Sequence, residues 1–102
     1  QYEDAIINYR KALEVDPNFA DAQNNLGVPF AALGQFVEAE KSHRRALEIK
    51  RNWPLAQSNL LFTLGYRANY SQEDYFQEAC KYGKMLVNKE RYDASLYFRG
   101  GQ

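Results

Sequence analysis

The sequence predicts an all-α fold in which pairs of helices stack into an α-α superhelical repeat, closed at the C-terminal end by an atypical capping helix. Three observations carry this prediction. The chain contains an internal repeat of 34 residues, its apolar residues recur at helical spacing, and turn-forming residues stand at the breaks between helices. With 102 residues, the chain is one small domain at most.

The repeat is visible in two pairs of segments. AIINYRKALEVDP (5–17) aligns with AEKSHRRALEIKR (39–51), and AQNNLG (22–27) aligns with AQSNLL (56–61), both at an offset of 34 residues. In the first pair the identities are Ala5 with Ala39, Ala12 with Ala46, Leu13 with Leu47 and Glu14 with Glu48. The shared offset predicts equivalent helices that follow one another at a fixed interval.

The first predicted helix covers residues 1–15, the second helix of a partial repeat. It carries an apolar stripe at spacings of three and four, formed by Tyr2, Ala5, Ile6, Tyr9 and Leu13. Asp16-Pro17-Asn18 ends this helix, and Asn18 is expected to cap the next one.

One whole repeat follows at 20–53. Its first helix contains Pro29, which removes a backbone donor, so we expect a kink or an opened turn at a cost of about 3 kcal/mol. Gly34 and Gln35 form the tight turn to the second helix at 36–49.

The first helix of another repeat is predicted at 54–68, with Asn52 as its cap and Pro54 in its first turn. After Tyr66 the repeat register is lost. Ser71 and Asp74 form a capping-box pattern that opens a helix ending near Asn88. We therefore divide the chain into a repeat region at 1–68 and a capping helix with its tail at 69–102, in which residues 90–102 form either one more helical turn or an extended strip.

Two stretches, QYEDAIINYRKALEVDPNFADAQNNLG and GQFVEAEKSHRRALEI, resemble tetratricopeptide (TPR) repeats. Gly27, Ala39 and Ala46 stand where the family has small residues at helix crossings, and Pro17 follows the second helix as in the family. His43 replaces a large aromatic residue, and we interpret it as a partly buried packing residue. The resemblance implies a protein-interaction scaffold that binds an extended peptide or a partner helix in a concave groove.

By the same resemblance, the first helix of each repeat lines that groove. The residues implied are Asp21, Asn24, Asn25, Val28, Leu55, Ser58, Asn59 and Phe62. A primary amide both donates and accepts hydrogen bonds, so Asn25 and Asn59 are suited to hold a peptide backbone. The alternative is that these two amides cap local backbone or contact water, and a plain helical bundle without groove function also remains open.

Residues 58–85, SNLLFTLGYRANYSQEDYFQEACKYGKM, are similar to the segment that joins the repeats to the catalytic domain in bacterial relatives of the O-linked N-acetylglucosamine transferase family. Asn25 and Asn59 match the asparagine ladder of that family. This resemblance implies an alternative function, a non-catalytic junction fragment of a glycosyltransferase whose catalytic domain would lie beyond Gln102.

The composition argues against several other functions. Thirteen basic and thirteen acidic residues cancel, so no overall field attracts nucleic acid or an anionic membrane. Cys80 and His43, the single cysteine and histidine, cannot form a zinc site or a catalytic dyad at a known spacing. No glycine-rich phosphate loop is present. We therefore expect no enzyme activity, no cofactor and no metal.

The cellular compartment and the oligomeric state are inferred from the cysteine count, the lack of a long apolar run and the apolar stripe of helix 1–15. A single cysteine fits a reducing compartment, most simply the cytoplasm, and no apolar run is long enough to span a membrane. Helix 1–15 lacks the partner helix of a full repeat, so its apolar stripe predicts self-association into a homo-oligomer.

Overall fold

The computed structural model describes residues 1–100, and the side chains of residues 1–88. These residues form five α-helices and no β-strand, which confirms the all-α class. The helices are α1 (Tyr2–Val15), α2 (Ala20–Ala32), α3 (Phe36–Ile49), α4 (Pro54–Gly65) and α5 (Gln72–Gly100). None of them is both long enough and apolar enough, within the described residues, to cross a lipid bilayer.

Helix α5 is longer than the sequence analysis predicted. It passes Asn88 and ends at Gly100, and neither Pro nor Gly interrupts residues 89–99. The expected end near Asn88 is therefore wrong, because no helix-breaking residue stands there. The last two residues of the predicted tail, Gly101 and Gln102, lie outside the described residues.

The helices stack in chain order, each packed against the one before and the one after it. The first helices of successive units, α2 and α4, begin one 34-residue repeat apart, at Ala20 and Pro54. Ala39, Ala46 and Ala56 are fully buried where the helices cross, as their small size predicts. The connection from α4 to α5 covers residues 66–71, against 33–35 between α2 and α3. This longer connection is why the register is lost after Tyr66.

Helix α1 packs on α2, and its apolar stripe is more buried than the sequence suggested. Ile6 is buried in a cluster with Leu26, Phe30 and Ala39, and Tyr9 and Leu13 pack against that cluster. The apolar residues that stay exposed on α1 are Tyr2, Ile7 and Val15. Self-association through this helix remains a prediction, supported by a smaller apolar surface than the stripe implied.

Side-chain capping departs from the prediction at α2 and α4. Phe19 and Trp53 precede these helices, and neither position makes a side-chain cap. Asn18 accepts a hydrogen bond from Arg45 at 3.0 Å instead, and Asn52 takes a turn conformation with φ of 57°. The expectation that Asn18 and Asn52 cap the helices is thus wrong, because each lies one residue too early in the chain.

Two other turn predictions are confirmed. Gly34 has φ of 77°, the left-handed conformation that favours glycine between α2 and α3. Ser71 Oγ accepts a hydrogen bond from the backbone N–H of Asp74 at 3.2 Å and so caps α5. Helix α2 passes through Pro29 without a break, and the Pro29 carbonyl accepts a bond from the N–H of Leu33 at 3.1 Å. The expected opened turn is not seen, although Pro29 cannot donate a hydrogen bond to the carbonyl of Asn25. A kink at Pro29 remains a prediction.

A network of polar side chains joins α3 to α4, α5 and the loop between them. Arg44 on α3 is its centre, and donates hydrogen bonds to Glu40 at 2.7 Å, Glu78 at 2.9 Å and the Tyr70 hydroxyl at 3.0 Å. Arg67 donates a further bond to Glu40. Burial alone would lower the pKa of Arg44, but the hydrogen bonds with Glu40 and Glu78 raise it, so the guanidinium stays charged.

Replacing Arg44 with Met is expected to destabilise the fold by about 2 kcal/mol, because Glu78 would stay buried without its main cationic partner. Urea unfolding at neutral pH measures this loss. Lys41→Met is the matched control, since Lys41 forms an ion pair with Glu38 on an exposed face and should cost under about 0.5 kcal/mol. Equal losses for the two variants would show that the Arg44 network does not hold the helices together.

Candidate functional site

The candidate site lies where α2 and α4 run beside each other, the helices that the sequence analysis assigned to the groove. A cavity of about 580 Å³ opens between them. We call this cavity the groove pocket; its lining residues are Val28, Ala31, Ala32, Phe36, His43, Asn59, Phe62, Thr63 and Tyr66. Residues from α2, α3 and α4 all contribute, so the pocket exists only when the helices are stacked.

Three of the predicted groove residues, Val28, Asn59 and Phe62, meet in this pocket. Val28 and Phe62 are largely exposed and Asn59 is half-buried. Their spacing along two equivalent helices is what places them together, since residues of successive first helices fall on a common wall in a repeat array. The sequence therefore located one part of the pocket.

The other predicted groove residues lie elsewhere. Asp21, Asn25 and Leu55 are exposed on α2 and α4, but they do not line the groove pocket. Ser58 is half-buried, and its hydroxyl donates a hydrogen bond to the carbonyl of Leu55 at 2.8 Å. The hydroxyl of Ser58 is thus used within its own helix.

Asn24 is buried rather than exposed to the groove. Its side-chain oxygen accepts a hydrogen bond from His43 Nδ1 at 2.8 Å and a longer one from the Asn59 amide at 3.4 Å. These bonds connect α2 to α3 and α4 beneath the pocket. The amide of Asn24 therefore supports the wall of the pocket, and does not face a ligand as the sequence analysis expected.

The pair Asn25 and Asn59 does not form two equivalent amides. Asn25 is exposed, whereas Asn59 is half-buried and turned towards Asn24. The difference arises because residue 24 is an asparagine while its repeat equivalent is Ser58, so the two helices offer different local partners. Asn25 and Asn59 therefore do not form a ladder of equivalent amide contacts.

Aromatic rings form one side of the groove pocket. Tyr66 stacks on Phe36 with ring centroids 5.4 Å apart and an interplanar angle of 13°. Phe62 meets Tyr66 at 5.0 Å in a tilted arrangement. Phe62 and Tyr66 remain 62% and 60% exposed, which is far more than rings of this size show in a core. Adjacent exposed rings of this kind are typical of interaction surfaces.

The floor of the pocket is polar but uncharged. Burial lowers the pKa of His43 to about 4, so the imidazole is neutral at physiological pH. Because Asn24 presents an oxygen to Nδ1, the proton of the neutral ring sits on Nδ1. No Asp, Glu, Lys or Arg is among the lining residues that the structure describes. The pocket is therefore suited to a neutral group.

Thr63 adds an unusual feature to this floor. Its side chain is buried, and the hydroxyl oxygen has no hydrogen-bond partner among the described residues. An unpaired buried hydroxyl costs on the order of 1–3 kcal/mol. Because this oxygen is buried, it does not select the group that the pocket holds.

Much of the pocket was not predicted from the sequence. Phe36 and Thr63 were not singled out as groove residues, and Tyr66 only marked the end of the repeat register. One signal was available: Phe62 and Tyr66 lie four residues apart, which places both rings on the same side of α4. The stacking of Tyr66 on Phe36 joins positions 30 residues apart and has no counterpart in the repeat pattern.

Comparison with known proteins agrees with this architecture. A family model described as TPR repeat matches residues 1–34. The crystal structure of MamA superposes on the chain with a TM-score of 0.70 at 22% sequence identity, covering 92% of this chain and 52% of MamA. The chain thus spans about half the length of MamA, and the match shows a TPR-like helical repeat fold. The search of curated proteins gave no significant match.

The resemblance of residues 58–85 to a glycosyltransferase junction finds no support in either match. The family match ends before Ser58, and the structural match concerns the fold alone.

Proposed function

We propose that this chain, whose fold is TPR-like and whose first 34 residues match a TPR repeat, is a protein-interaction scaffold that binds an extended peptide in its groove. The groove pocket would hold one uncharged side chain of that peptide. The observation that carries the proposal is the pair of exposed rings, Phe62 and Tyr66, beside a pocket without charged lining residues.

The chemistry of the pocket defines the side chain that fits. A cationic or anionic group would lose its hydration and find no counter-ion there, which costs several kcal/mol. An aromatic or branched apolar side chain would instead bury its surface against Val28, Phe36 and Tyr66.

The polar residues around the pocket are suited to the peptide backbone. Asn25 is exposed on α2 outside the lining of the groove pocket, and Asn59 is half-buried within that lining. Each amide offers both a donor and an acceptor, so these side chains hold a backbone without selecting its sequence. Sequence preference then comes from the pocket.

Replacing both Phe62 and Tyr66 with Ala is expected to weaken peptide binding by about 30-fold or more, because truncated aromatic anchors are the usual binding hot spots. The measurement selects binders from a random peptide display library on the intact chain and compares their dissociation constants for the variants by fluorescence anisotropy. The Asn25→Ala, Asn59→Ala double variant should lose about three- to tenfold.

Val15→Ala with Ile7→Ala is the matched control, since both residues are exposed apolar residues on α1 away from the groove. These replacements should leave binding within about twofold. Selected peptides that bind the Phe62, Tyr66 variant as tightly as the parent, or that all depend on charged anchors, would contradict the proposal.

A further inference from the structure

A second cavity lies between α3 and α5 and shares no residue with the groove pocket. Its volume is about 850 Å³, and α4 forms its floor. Over the described residues the backbones of α3 and α5 do not approach each other closely, so the cavity is an open channel between two helices. We call it the basic groove.

The basic groove exists because α5 is held away from α3 by long side chains. Glu78 on α5 accepts a hydrogen bond from Arg44 on α3 at 2.9 Å, and the Gln57 amide on α4 donates to both the carboxylate and the carbonyl of Glu78 at 3.0 Å. Burial would raise the pKa of Glu78, but these bonds and the nearby Lys81 lower it below its ordinary value. Glu78 is therefore ionised, and its charge is used inside the fold.

Positive charge collects in this groove although the whole chain is neutral. Five cationic side chains line it against two carboxylates, an excess of three positive charges. The cations are Arg44, Arg45, Arg51, Lys81 and Lys84. Cations confined to one concave surface attract an acidic partner and increase its rate of association.

Two of these cations have no ion-pair partner among residues 1–88. Both carboxylates of the groove have protein partners: Glu48 pairs with Arg45 at 3.2 Å, and Glu78 pairs with Arg44. Arg51 and Lys84 form no ion pair with any residue from 1 to 88, and both are exposed. They stand on opposite sides of the groove, Arg51 after the end of α3 and Lys84 on α5.

The floor of the basic groove is apolar. Leu60 is fully buried at its base, and Leu47 and Met85 are half-buried on its two sides. Met adapts its shape to different partners, which suits a binding surface. No aromatic ring belongs to the described lining, so the groove offers nucleic-acid bases no stacking platform. The combination favours a protein segment over RNA or single-stranded DNA.

We propose that the basic groove is a second docking site that binds an acidic amphipathic helix of a protein partner. Its carboxylates would pair with Arg51 and Lys84, and its apolar face would lie on Leu47 and Met85. The two sites use different residues, so the scaffold holds an uncharged peptide anchor at one place and an acidic helix at another.

The test uses a fluorescent synthetic helix of roughly four turns, with Glu on one face and Leu on the other, titrated with the intact chain. Binding is expected at low salt and should weaken as salt is added, because the contacts are partly electrostatic. Arg51→Glu with Lys84→Glu should weaken it by at least about tenfold. Arg51→Gln with Lys84→Gln should have a smaller effect in the same direction and guards against misfolding of the reversed variant.

Two sets of controls complete the experiment. Lys11→Glu with Lys41→Glu makes the same change in net charge on exposed positions outside the basic groove, and should leave binding within about twofold. The same helix with Lys in place of Glu should not bind, and neither should oligothymidylate. The proposal would be overturned if both pairs of charge reversals weakened binding equally. It would also be overturned if oligothymidylate bound and the Arg51 and Lys84 replacements abolished that binding. Binding of the groove-pocket peptides checks independently that each variant is folded.

Discussion

Lowering the pH from about 7 to about 4 is expected to destabilise the fold by about 3 kcal/mol through His43 alone. This side chain is 1% exposed, and burial lowers its pKa from 6.5 to about 4. The unfolded chain keeps the ordinary histidine pKa. The unfolded state therefore binds a proton at a pH where the folded state does not.

The sign follows from that difference. The folded pKa of His43 is depressed, so its full contribution to stability is present above the unfolded pKa near 6.5. The contribution falls as the pH drops from 6.5 and stops falling below about 4, where both states are protonated. Among the described residues, the groups that meet the ring offer the imidazolium no counter-charge. They are the Asn24 side chain, the Gly27 backbone and the other lining residues of the groove pocket.

Urea unfolding at a series of pH values measures this effect, and His43→Gln is the matched variant. Glutamine does not titrate, and it can still donate a hydrogen bond to Asn24. His43 is the only histidine of the chain, so the slope between pH 6.5 and 5 should disappear in the variant. Glu78, with its lowered pKa, contributes only at lower pH in both proteins. Parallel stability curves for the two proteins would show that His43 is not buried in its neutral form.

The sequence predicted the fold because the fold repeats. Ala39, Ala46 and the 34-residue spacing of α2 and α4 follow from packing rules that act the same way in every unit, so pattern alone finds them. The length of α5 was less accessible. A helix without a breaking residue ends where its tertiary contacts end, and the sequence of the helix alone does not predict that position.

The groove was only partly predictable for the same reason. The TPR resemblance implied Val28, Asn59 and Phe62 as groove residues, and these three line the groove pocket. The burial of Asn24 depends on His43, 19 residues away, and this pair has no equivalent in the next unit. A repeat pattern does not predict contacts that occur in only one unit. The specific chemistry of the pocket depends on such contacts.

A single methyl group at Gly27 is expected to destabilise the fold by about 2–3 kcal/mol. A Cβ atom built on Gly27 would lie 2.5 Å from His43 Cε1 and 2.5 Å from Nε2, well inside van der Waals contact. The ring cannot easily move aside, because it is buried and bonded to Asn24. Gly27→Ala would therefore force α2 away from α3.

The direction of this effect is opposite to ordinary helix propensity. In an open helix, replacing Gly with Ala stabilises by up to about 1 kcal/mol. Gly83 in α5 is such a position, since a Cβ there would meet nothing within 4 Å. Thermal or urea unfolding should then show opposite signs for the two variants, destabilisation for Gly27→Ala and a small stabilisation for Gly83→Ala.

A double-mutant cycle identifies the cause of the loss at Gly27. His43→Ala removes the ring that the new methyl group would strike, so adding Gly27→Ala in that background should cost nothing or stabilise slightly. The coupling between the two positions is expected to be about 2 kcal/mol or more, because each change alone disturbs the same contact. A Gly27→Ala penalty that stays the same with and without the ring would place the clash elsewhere. Contact with His43 would then not be the reason for a glycine at this helix crossing. The close approach of α2, α3 and α4 that forms the groove pocket would need another explanation.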